Sequence, residues 1–212
     1  MNRQIEDSKH GRYQINPKRF PGFSEHYFGL VEDDWQPMKD ELTRQVRGIF
    51  DNPIFLRLAR VPERIQEIEE LESLDMSGIP VWVSLDVLVD DGRGGFVIID
   101  WKTGTNHTVE KVAAQLGIYA LYVKERYGSR LRNVSSIQAM YVNTRHHTFE
   151  TIPIDETSVQ TAIQTVQSSS AAMQDLLADR EHNIAHIERF PRLSEGSEAC
   201  GFCEYRRSCG RE

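Results

Sequence analysis

The chain has 212 residues, a length suited to one domain with a hydrophobic core or to one domain with a small appendage. Hydrophobic residues make up 39% and charged residues 27% of the composition, which excludes a disordered chain, and no apolar run has the length of a membrane helix. The 32 acidic against 25 basic side chains give a net charge of -7, which excludes a uniformly basic nucleic-acid coat but not a local basic groove.

The first predicted elements are an irregular arm over residues 1–37, which packs its aromatic side chains, and a helix from Met38 to about Arg60 with apolar residues at helical spacing. Asn52 precedes a proline and therefore predicts an interruption of that helix. Three strand-like stretches, joined by glycine-containing turns, then predict a three-stranded meander over 67–74, 79–91 and 95–104.

The second half of the chain alternates helices and strands in its hydrophobic pattern. The predicted elements are a helix of about 20 residues closed by Gly128, a strand over 136–144, a second strand over 147–154, and a long helix from a cap at Asp155 or Thr157 to about Arg180.

The three cysteines all lie in the last 13 residues. An odd, clustered set argues against a disulfide framework and for a reducing compartment. The opening residues, MNRQIEDSKHGR, contain acids and no apolar stretch, so the sequence predicts neither a signal nor a transit peptide. We therefore expect a cytoplasmic protein without membrane contact.

Three charged residues interrupt the apolar strands. Asp86 lies within the second stretch, whereas Asp100 and Lys102 come near the end of the third. Side chains two apart on a strand share one face, so Asp100 and Lys102 are neighbours. Positions 86 and 100 are equally distant from Arg93 in the intervening turn, so a hairpin places Asp86 roughly opposite Asp100.

Buried charges of this kind are costly unless they are paired or bind a metal ion. Two carboxylates can hold Mg²⁺ or Mn²⁺, with the backbone carbonyl of Trp101 as a third ligand. The ion would lower the pKa of a bound water and shield phosphate charge, while Lys102 orients the water or stabilises developing charge. The alternative interpretation is a structural Asp–Lys pair at a strand end.

Gln115 and Tyr119 are four residues apart on the helix that follows the third strand, so they lie on one face of that helix. Taken alone, the pair is equally compatible with a tyrosine packed in the core and a glutamine that faces water.

Together these residues resemble the RecB-like branch of the PD-(D/E)XK nuclease superfamily, which includes CRISPR-associated nucleases. The predicted order of elements is similar to the αβββαβ core of that family, and the resemblance spans about residues 60–209. It implies an α/β, restriction-endonuclease-like fold with a mixed central sheet flanked by helices. It also implies three regions: an N-terminal arm and helix (1–60), a nuclease core (61–190) and a Cys-rich tail (191–212).

By this resemblance the chain is a metal-dependent nuclease that hydrolyses phosphodiester bonds of DNA. Asp86 and Asp100, the latter in the segment IIDWKTG, are the implied metal ligands, and Lys102 is the implied catalytic lysine. Gln115 and Tyr119, as a Q-x-x-x-Y pair, are the implied supports of the substrate strand and the active site. The implied setting is DNA repair, recombination or defence against mobile DNA.

An iron–sulfur cluster is common in this branch, and three of its cysteines have the spacing C-x2-C-x5-C near the C-terminus. Cys200, Cys203 and Cys209 have this spacing. Such clusters are held by four thiolates, and the family's first cysteine lies upstream of the core, where this chain has none. Three cysteines with one histidine would also suit zinc.

A metal-binding histidine on an upstream helix of the family is missing as well, so the chain looks shortened at its N-terminus. Three explanations stay open: a partner chain supplies the missing segment, His10, His26 or His107 supplies a substitute ligand, or cluster and activity have been lost while the fold is kept. The last of these gives the alternative function, a non-catalytic subunit that binds a partner or DNA. The retained Asp86, Asp100 and Lys102 weigh against it.

Two basic groups remain. Arg206 and Arg207, between the cysteines, are equally compatible with phosphate contact and with a solvated turn. Arg145, His146 and His147 lie at a predicted strand end, near where a DNA strand would pass, although a solvated loop is the favoured interpretation.

Overall fold

The structure is a computed structural model and describes residues 2–28, 35–103, 109–133, 136–194, 196–201, 203, 205 and 209–210. The chain divides into two compact units, one formed by Met1–Leu42 with His186–Glu212 and the other by Thr43–Ala185. Within the described residues, no helix combines the length and the apolar character needed to cross a membrane.

The secondary-structure elements carry the following bounds. The described α-helices are α1 (Asn2–Lys9), α2 (Arg12–Ile15), α3 (Ser24–Phe28), α4 (Trp35–Asp51), α5 (Pro53–Ala59), α6 (Val109–Tyr127), α7 (Glu156–Asp175) and α8 (Glu198–Gly201). The described strands are β1 (Ile65–Ile68), β2 (Leu71–Asp75), β3 (Pro80–Ser84), β4 (Val87–Asp90), β5 (Phe96–Lys102), β6 (Ile137–Asn143), β7 (Thr148–Pro153), β8 (Leu177–Asp179) and β9 (Ile184–Ala185).

A five-stranded sheet with the order β1-β4-β5-β6-β7 forms the centre of the larger unit. Neighbouring strands are antiparallel except β5 and β6, which are parallel and connected through α6. Strand β5 has a partner on each side, which accounts for its nearly continuous apolar run. The expected α/β fold with a mixed central sheet flanked by helices is thereby confirmed.

Different helices cover the two faces of this sheet. On one face, Ile98 of β5 belongs to a core that also contains Leu116 of α6 and Val159 of α7. On the other face, Val142 of β6 belongs to a smaller cluster against which Leu58 of α5 packs. Because side chains alternate along a strand, every second residue of β5 faces α6.

The predicted meander is wrong in part, because the stretches 67–74 and 79–91 each break in two. β1 pairs with β4 in the large sheet, while β2 and β3 form a separate hairpin. Glu69 marks the break: its backbone is left-handed, with φ of 49°, and its amide donates to the carbonyl oxygens of Leu85 at 2.9 Å and Asp86 at 3.3 Å. The two predicted strands are therefore divided at positions that face each other, one at Glu69 and the other at Leu85 and Asp86.

The interruption predicted at Asn52 is confirmed. α4 ends one residue before it and α5 begins with Pro53, which has no amide hydrogen to lose at a helix start. Asn52 caps α5, since its Oδ1 accepts the amide of Ile54 at 2.9 Å.

The cap predicted for the last long helix is confirmed at Asp155, whose Oδ1 accepts the amide of Ser158 at 2.7 Å. The helix ends at Asp175 rather than near Arg180, because the following residues form the short β8–β9 hairpin.

In the smaller unit, the expectation of an irregular arm is wrong, because α1, α2 and α3 lie there. These helices span only four to eight residues and are mostly polar, which left no hydrophobic period to detect. The predicted packing of aromatic residues is confirmed: the ring centroids of Phe23 and Trp35 are 5.2 Å apart, and those of Tyr13 and Tyr27 are 6.1 Å apart.

Candidate active site

Asp86 and Asp100 come together across the β4–β5 pair. Val87 lies opposite Ile99, so the next position of the same register sets Asp86 opposite Asp100, as the count of residues around the turn predicted. The backbone amide of Trp101 donates to Asp86 Oδ2 at 2.7 Å. This bond fixes the carboxylate of Asp86 against β5, although Asp86 itself lies just before β4.

Asp100 is the most deeply buried charge of this region, with 1% of its surface exposed. Lys102, two residues further along β5, places its Nζ 2.9 Å from Oδ1 and 2.8 Å from Oδ2 of Asp100. A buried carboxylate costs several kcal/mol unless it is compensated, and the ammonium supplies that compensation. The Lys102 side chain is 18% exposed, so the pair lies at the boundary between core and solvent.

Gln115 and Tyr119 of α6 bond to each other above this pair of strands. Gln115 Nε2 donates to Tyr119 Oη at 2.7 Å, and Tyr119 Oη donates to the carbonyl oxygen of Ser84 at 2.9 Å. Tyr119 packs in the core, as one interpretation predicted, but Gln115 is half-buried and hydrogen-bonded rather than turned to water. Ser84 lies two residues before Asp86, so Tyr119 holds the backbone that carries this carboxylate.

The electrostatic environment of Tyr119 links it to all three charges. Desolvation by burial is the main reason that the pKa of Tyr119 is raised, and the carboxylates of Asp100 and Asp86 raise it further. The hydrogen bond from Gln115 and the charge of Lys102 act in the opposite direction. The phenol therefore keeps its proton at neutral pH and remains a donor.

The donors gathered here suit a hard cation. Asp86 and Asp100 offer carboxylate oxygens, and the amide of Trp101 points to Asp86, so the carbonyl of Trp101 faces the same strand edge. Within the described parts of the chain, no group of three or more His, Cys, Asp and Glu side chains could hold a metal ion. An ion at this place would therefore rely on the two carboxylates, the carbonyl of Trp101 and water, a set typical of Mg²⁺ or Mn²⁺.

The three cysteines lie in the smaller unit and form no disulfide bond. Cys200 lies in α8 and accepts the amide of Cys203 at 3.4 Å through its carbonyl oxygen, and the amide of Cys209 donates to the carbonyl oxygen of Tyr205 at 2.9 Å. These are backbone contacts, and the described side chains form no metal-binding group here. The iron–sulfur cluster and the zinc alternative stay predictions.

Among the histidines proposed as substitute ligands, His10 is exposed and its Nδ1 lies 2.7 Å from the carbonyl oxygen of Glu6. His26 Nδ1 lies 2.8 Å from Ser8 Oγ. Neither joins a metal-binding group within the described residues. His107, Arg206 and Arg207 lie outside the described residues.

Tyr141 is a residue of this site that sequence reasoning missed. It lies directly beside Asp100 in the parallel β5–β6 pair, on the face covered by α6. Its side chain is buried, and its Oη has no hydrogen-bond partner among the described residues. A buried hydroxyl without a partner costs about 1–3 kcal/mol, so Tyr141 is a candidate donor to a bound water or a substrate oxygen.

Comparison with known proteins identifies the superfamily of this chain. The sequence model of the PD-(D/E)XK nuclease superfamily matches residues 17–210, nearly the whole chain, and the chain therefore belongs to this superfamily. No curated protein matches it. A solved structure from Eubacterium rectale, described as a candidate exonuclease, is similar, with 11% identity over 90% of this chain and 93% of that chain and a TM-score of 0.37.

Proposed function

We propose that this protein is a Mg²⁺- or Mn²⁺-dependent nuclease that hydrolyses phosphodiester bonds of DNA. The observation that carries the proposal is the convergence of Asp86, Asp100 and Lys102 at one end of the sheet, in a chain that belongs to a nuclease superfamily. The resemblance to the RecB-like branch supports a setting in DNA repair, recombination or defence against mobile DNA.

Each residue of the site has a separate part in this proposal. Asp86 and Asp100 hold the cation together with the carbonyl of Trp101, and the bound ion supplies a water of lowered pKa and neutralises phosphate charge. Lys102 is held by Asp100 yet reaches solvent, so its ammonium can donate to the oxygens that gain charge in the transition state. Tyr119, fixed by Gln115, keeps the backbone before Asp86 in place.

The experiment is cleavage of labelled single- and double-stranded oligonucleotides with Mg²⁺, with Mn²⁺ and with EDTA. We expect cleavage only with metal, and a loss of at least ~10²-fold in kcat for Lys102→Ala, since one charge-stabilising donor is worth about this much. Lys124→Ala is the matched control, because Lys124 lies exposed on α6 in an ion pair with Glu156. It should cleave like the wild type.

A wild type that is inert with either metal would contradict the proposal, as would a Lys102→Ala variant with full activity. Binding of DNA without any cleavage would instead support the alternative, a non-catalytic subunit with a nuclease fold. The same cleavage assay with a co-purified partner chain tests whether the site is completed by another protein.

We further propose that Cys200, Cys203 and Cys209 bind a metal centre, an iron–sulfur cluster with a fourth ligand from elsewhere or a zinc ion. The spacing of the cysteines supports this part of the proposal. Anaerobically purified protein should then contain iron and a broad absorbance band in the violet, or one equivalent of zinc. Protein that contains neither metal would overturn it.

A further inference from the structure

We propose that the turn between β6 and β7, together with Arg44 of α4, binds the phosphate backbone of DNA beside the cleavage site. This surface, called here the cationic turn, consists of Thr144, Arg145, His146, His147 and Arg44. The inference rests on the proposed nuclease function and specifies how the substrate strand is held.

The cationic turn begins next to the candidate catalytic lysine. Lys102 ends β5 opposite Asn143, which ends β6. The following residue, Thr144, bonds directly to Lys102: its amide lies 2.9 Å and its Oγ1 3.2 Å from the carbonyl oxygen of Lys102. The cationic turn therefore lies directly beside the end of β5 that carries Lys102.

Hydrogen bonds from buried side chains fix the backbone of the turn. The Oδ1 atom of Asn143, which is buried, accepts the amides of Arg145 at 3.0 Å and His146 at 2.9 Å. The buried Gln45 of α4 accepts Thr144 Oγ1 at 3.2 Å. Because the turn is fixed before a ligand arrives, binding costs little conformational entropy.

The ring of His147 packs closely against Gly48 of α4, where the absence of a Cβ atom leaves room for it. A Cβ atom at Gly48 would lie 1.9 Å from His147 Cε1. Arg44 completes this contact, with its NH1 3.1 Å from His147 Nε2 and its NH2 3.3 Å from the carbonyl oxygen of Arg145. The backbone of His147 is left-handed, with φ of 54°, a conformation that is uncommon for a residue other than glycine.

The chemistry of the cationic turn suits phosphodiesters. Arg44, Arg145 and His146 are exposed, so this surface gathers basic side chains on a chain whose net charge is -7. Guanidinium groups bind phosphate oxygens with charge-assisted hydrogen bonds. Phe149, 53% exposed at the start of β7, adds an aromatic ring on which an unpaired base can stack.

Binding is tested by fluorescence anisotropy with labelled single strands and duplexes, in EDTA so that no cleavage intervenes, over a series of NaCl concentrations. We expect Arg145→Ala/His146→Ala to raise Kd roughly tenfold or more, as removal of charge-assisted hydrogen bonds implies. The slope of log K against log salt should fall by about 0.7 for each phosphate of a single strand that the variant no longer neutralises. In cleavage assays, KM should rise while kcat stays near the wild-type value.

Arg93→Ala is the matched control, because Arg93 is exposed in the turn at the opposite end of β5 from Lys102. Equal affinities and salt slopes for the turn variant and Arg93→Ala would overturn the inference. If the wild type cuts no substrate but the turn variant still binds more weakly than Arg93→Ala, the proposed function fails and the binding surface stands. If the wild type cuts and the two variants bind alike, only the binding surface fails.

Discussion

Two buried carboxylates lie under the same helix, α6, and they are neutralised in different ways. Glu67 of β1 is 5% exposed and Asp100 of β5 is 1% exposed. The Oε1 atom of Glu67 accepts hydrogen bonds from the hydroxyls of Tyr122 at 2.8 Å and Tyr127 at 2.5 Å. Asp100 instead faces the ammonium of Lys102 at 2.8 Å.

The phenols around Glu67 form a shell of hydrogen-bond donors that keep their protons at neutral pH. Desolvation is the main cause that raises the pKa of Tyr127 to about 12, and the bond to Glu67 raises it further. The pKa of Tyr122 is raised above its usual range for the same two reasons. Arg130 packs over the rings of Phe96, at 5.2 Å, and Tyr127, at 5.7 Å. Glu67 thus meets neutral donors and an aromatic cover.

The site around Asp100 is less complete. A second carboxylate, Asp86, lies opposite, and the compensating Lys102 is partly exposed. Two neighbouring carboxylates repel each other, and binding of a cation to both relieves this repulsion. The charge of Glu67 is already compensated by the hydroxyls of Tyr122 and Tyr127. The difference teaches that burial of a carboxylate does not itself indicate a functional site. At the Asp100 site, the second acid and the partly exposed lysine are the additional features that support the proposed active site.

Matched isosteric changes at the two carboxylates provide the strongest test of this difference. Asp100→Asn removes the charge that holds Lys102 and the proposed ion, so we expect kcat to fall by at least ~10²-fold. Glu67→Gln keeps an oxygen that accepts both phenols, so its cleavage rate should remain within about twofold of wild type, since it leaves Asp86, Asp100 and Lys102 intact. The measurement is metal-dependent cleavage, with thermal unfolding to verify folding. Equal losses in the two variants would remove the distinction between the carboxylates.

The sequence predicts the relative positions of the candidate residues where the geometry is local. Asp86 and Asp100 are related by a hairpin, so counting from Arg93 suffices, and Gln115 and Tyr119 are related by one helical turn. The hydrogen bonds that hold these residues in place join segments that are distant in the sequence. The contact of Tyr119 with Ser84 crosses from helix to strand, and no periodicity encodes it.

Two further features could not be predicted from the sequence, for physical reasons. Tyr141 lies beside Asp100 through a parallel strand pairing, and the register of that pairing depends on how α6 packs, so it cannot be counted along the chain. The break at Glu69 depends on a left-handed residue that is not glycine, which propensity disfavours and tertiary hydrogen bonds to Leu85 and Asp86 stabilise. Local patterns therefore predicted the strands but not their division into two sheets.

A smaller effect is expected from removing single hydroxyls of α6. Tyr119→Phe leaves the Ser84 carbonyl without its donor and loosens the backbone before Asp86, so we expect cleavage to fall roughly tenfold through misplacement of that carboxylate. Tyr122→Phe removes the same group from the Glu67 shell, and it should cost about 1 kcal/mol of stability while cleavage stays unchanged. Rates and chemical unfolding of both variants check this. A Tyr122→Phe variant with the larger catalytic loss would reverse the assignment.

The smallest expected effect is a pH dependence of stability that belongs to the Glu67 shell. Tyr127 holds its proton up to a pKa of about 12 in the folded protein, against 10.0 for an unperturbed tyrosine. Between these values the folded state binds more protons than the unfolded state, so the stabilisation is complete below pH 10 and is lost as the pH rises towards 12. Tyr127→Phe should therefore show a shallower fall of unfolding free energy over this window in denaturant titrations.

The Glu67→Gln variant should show a slope between those of the wild type and Tyr127→Phe, because desolvation, the larger cause of the raised pKa, persists without the negative charge. Identical slopes for wild type and Tyr127→Phe would mean that the shell is open to water. The contrast with the site around Asp100, where Lys102 is partly exposed, would then disappear.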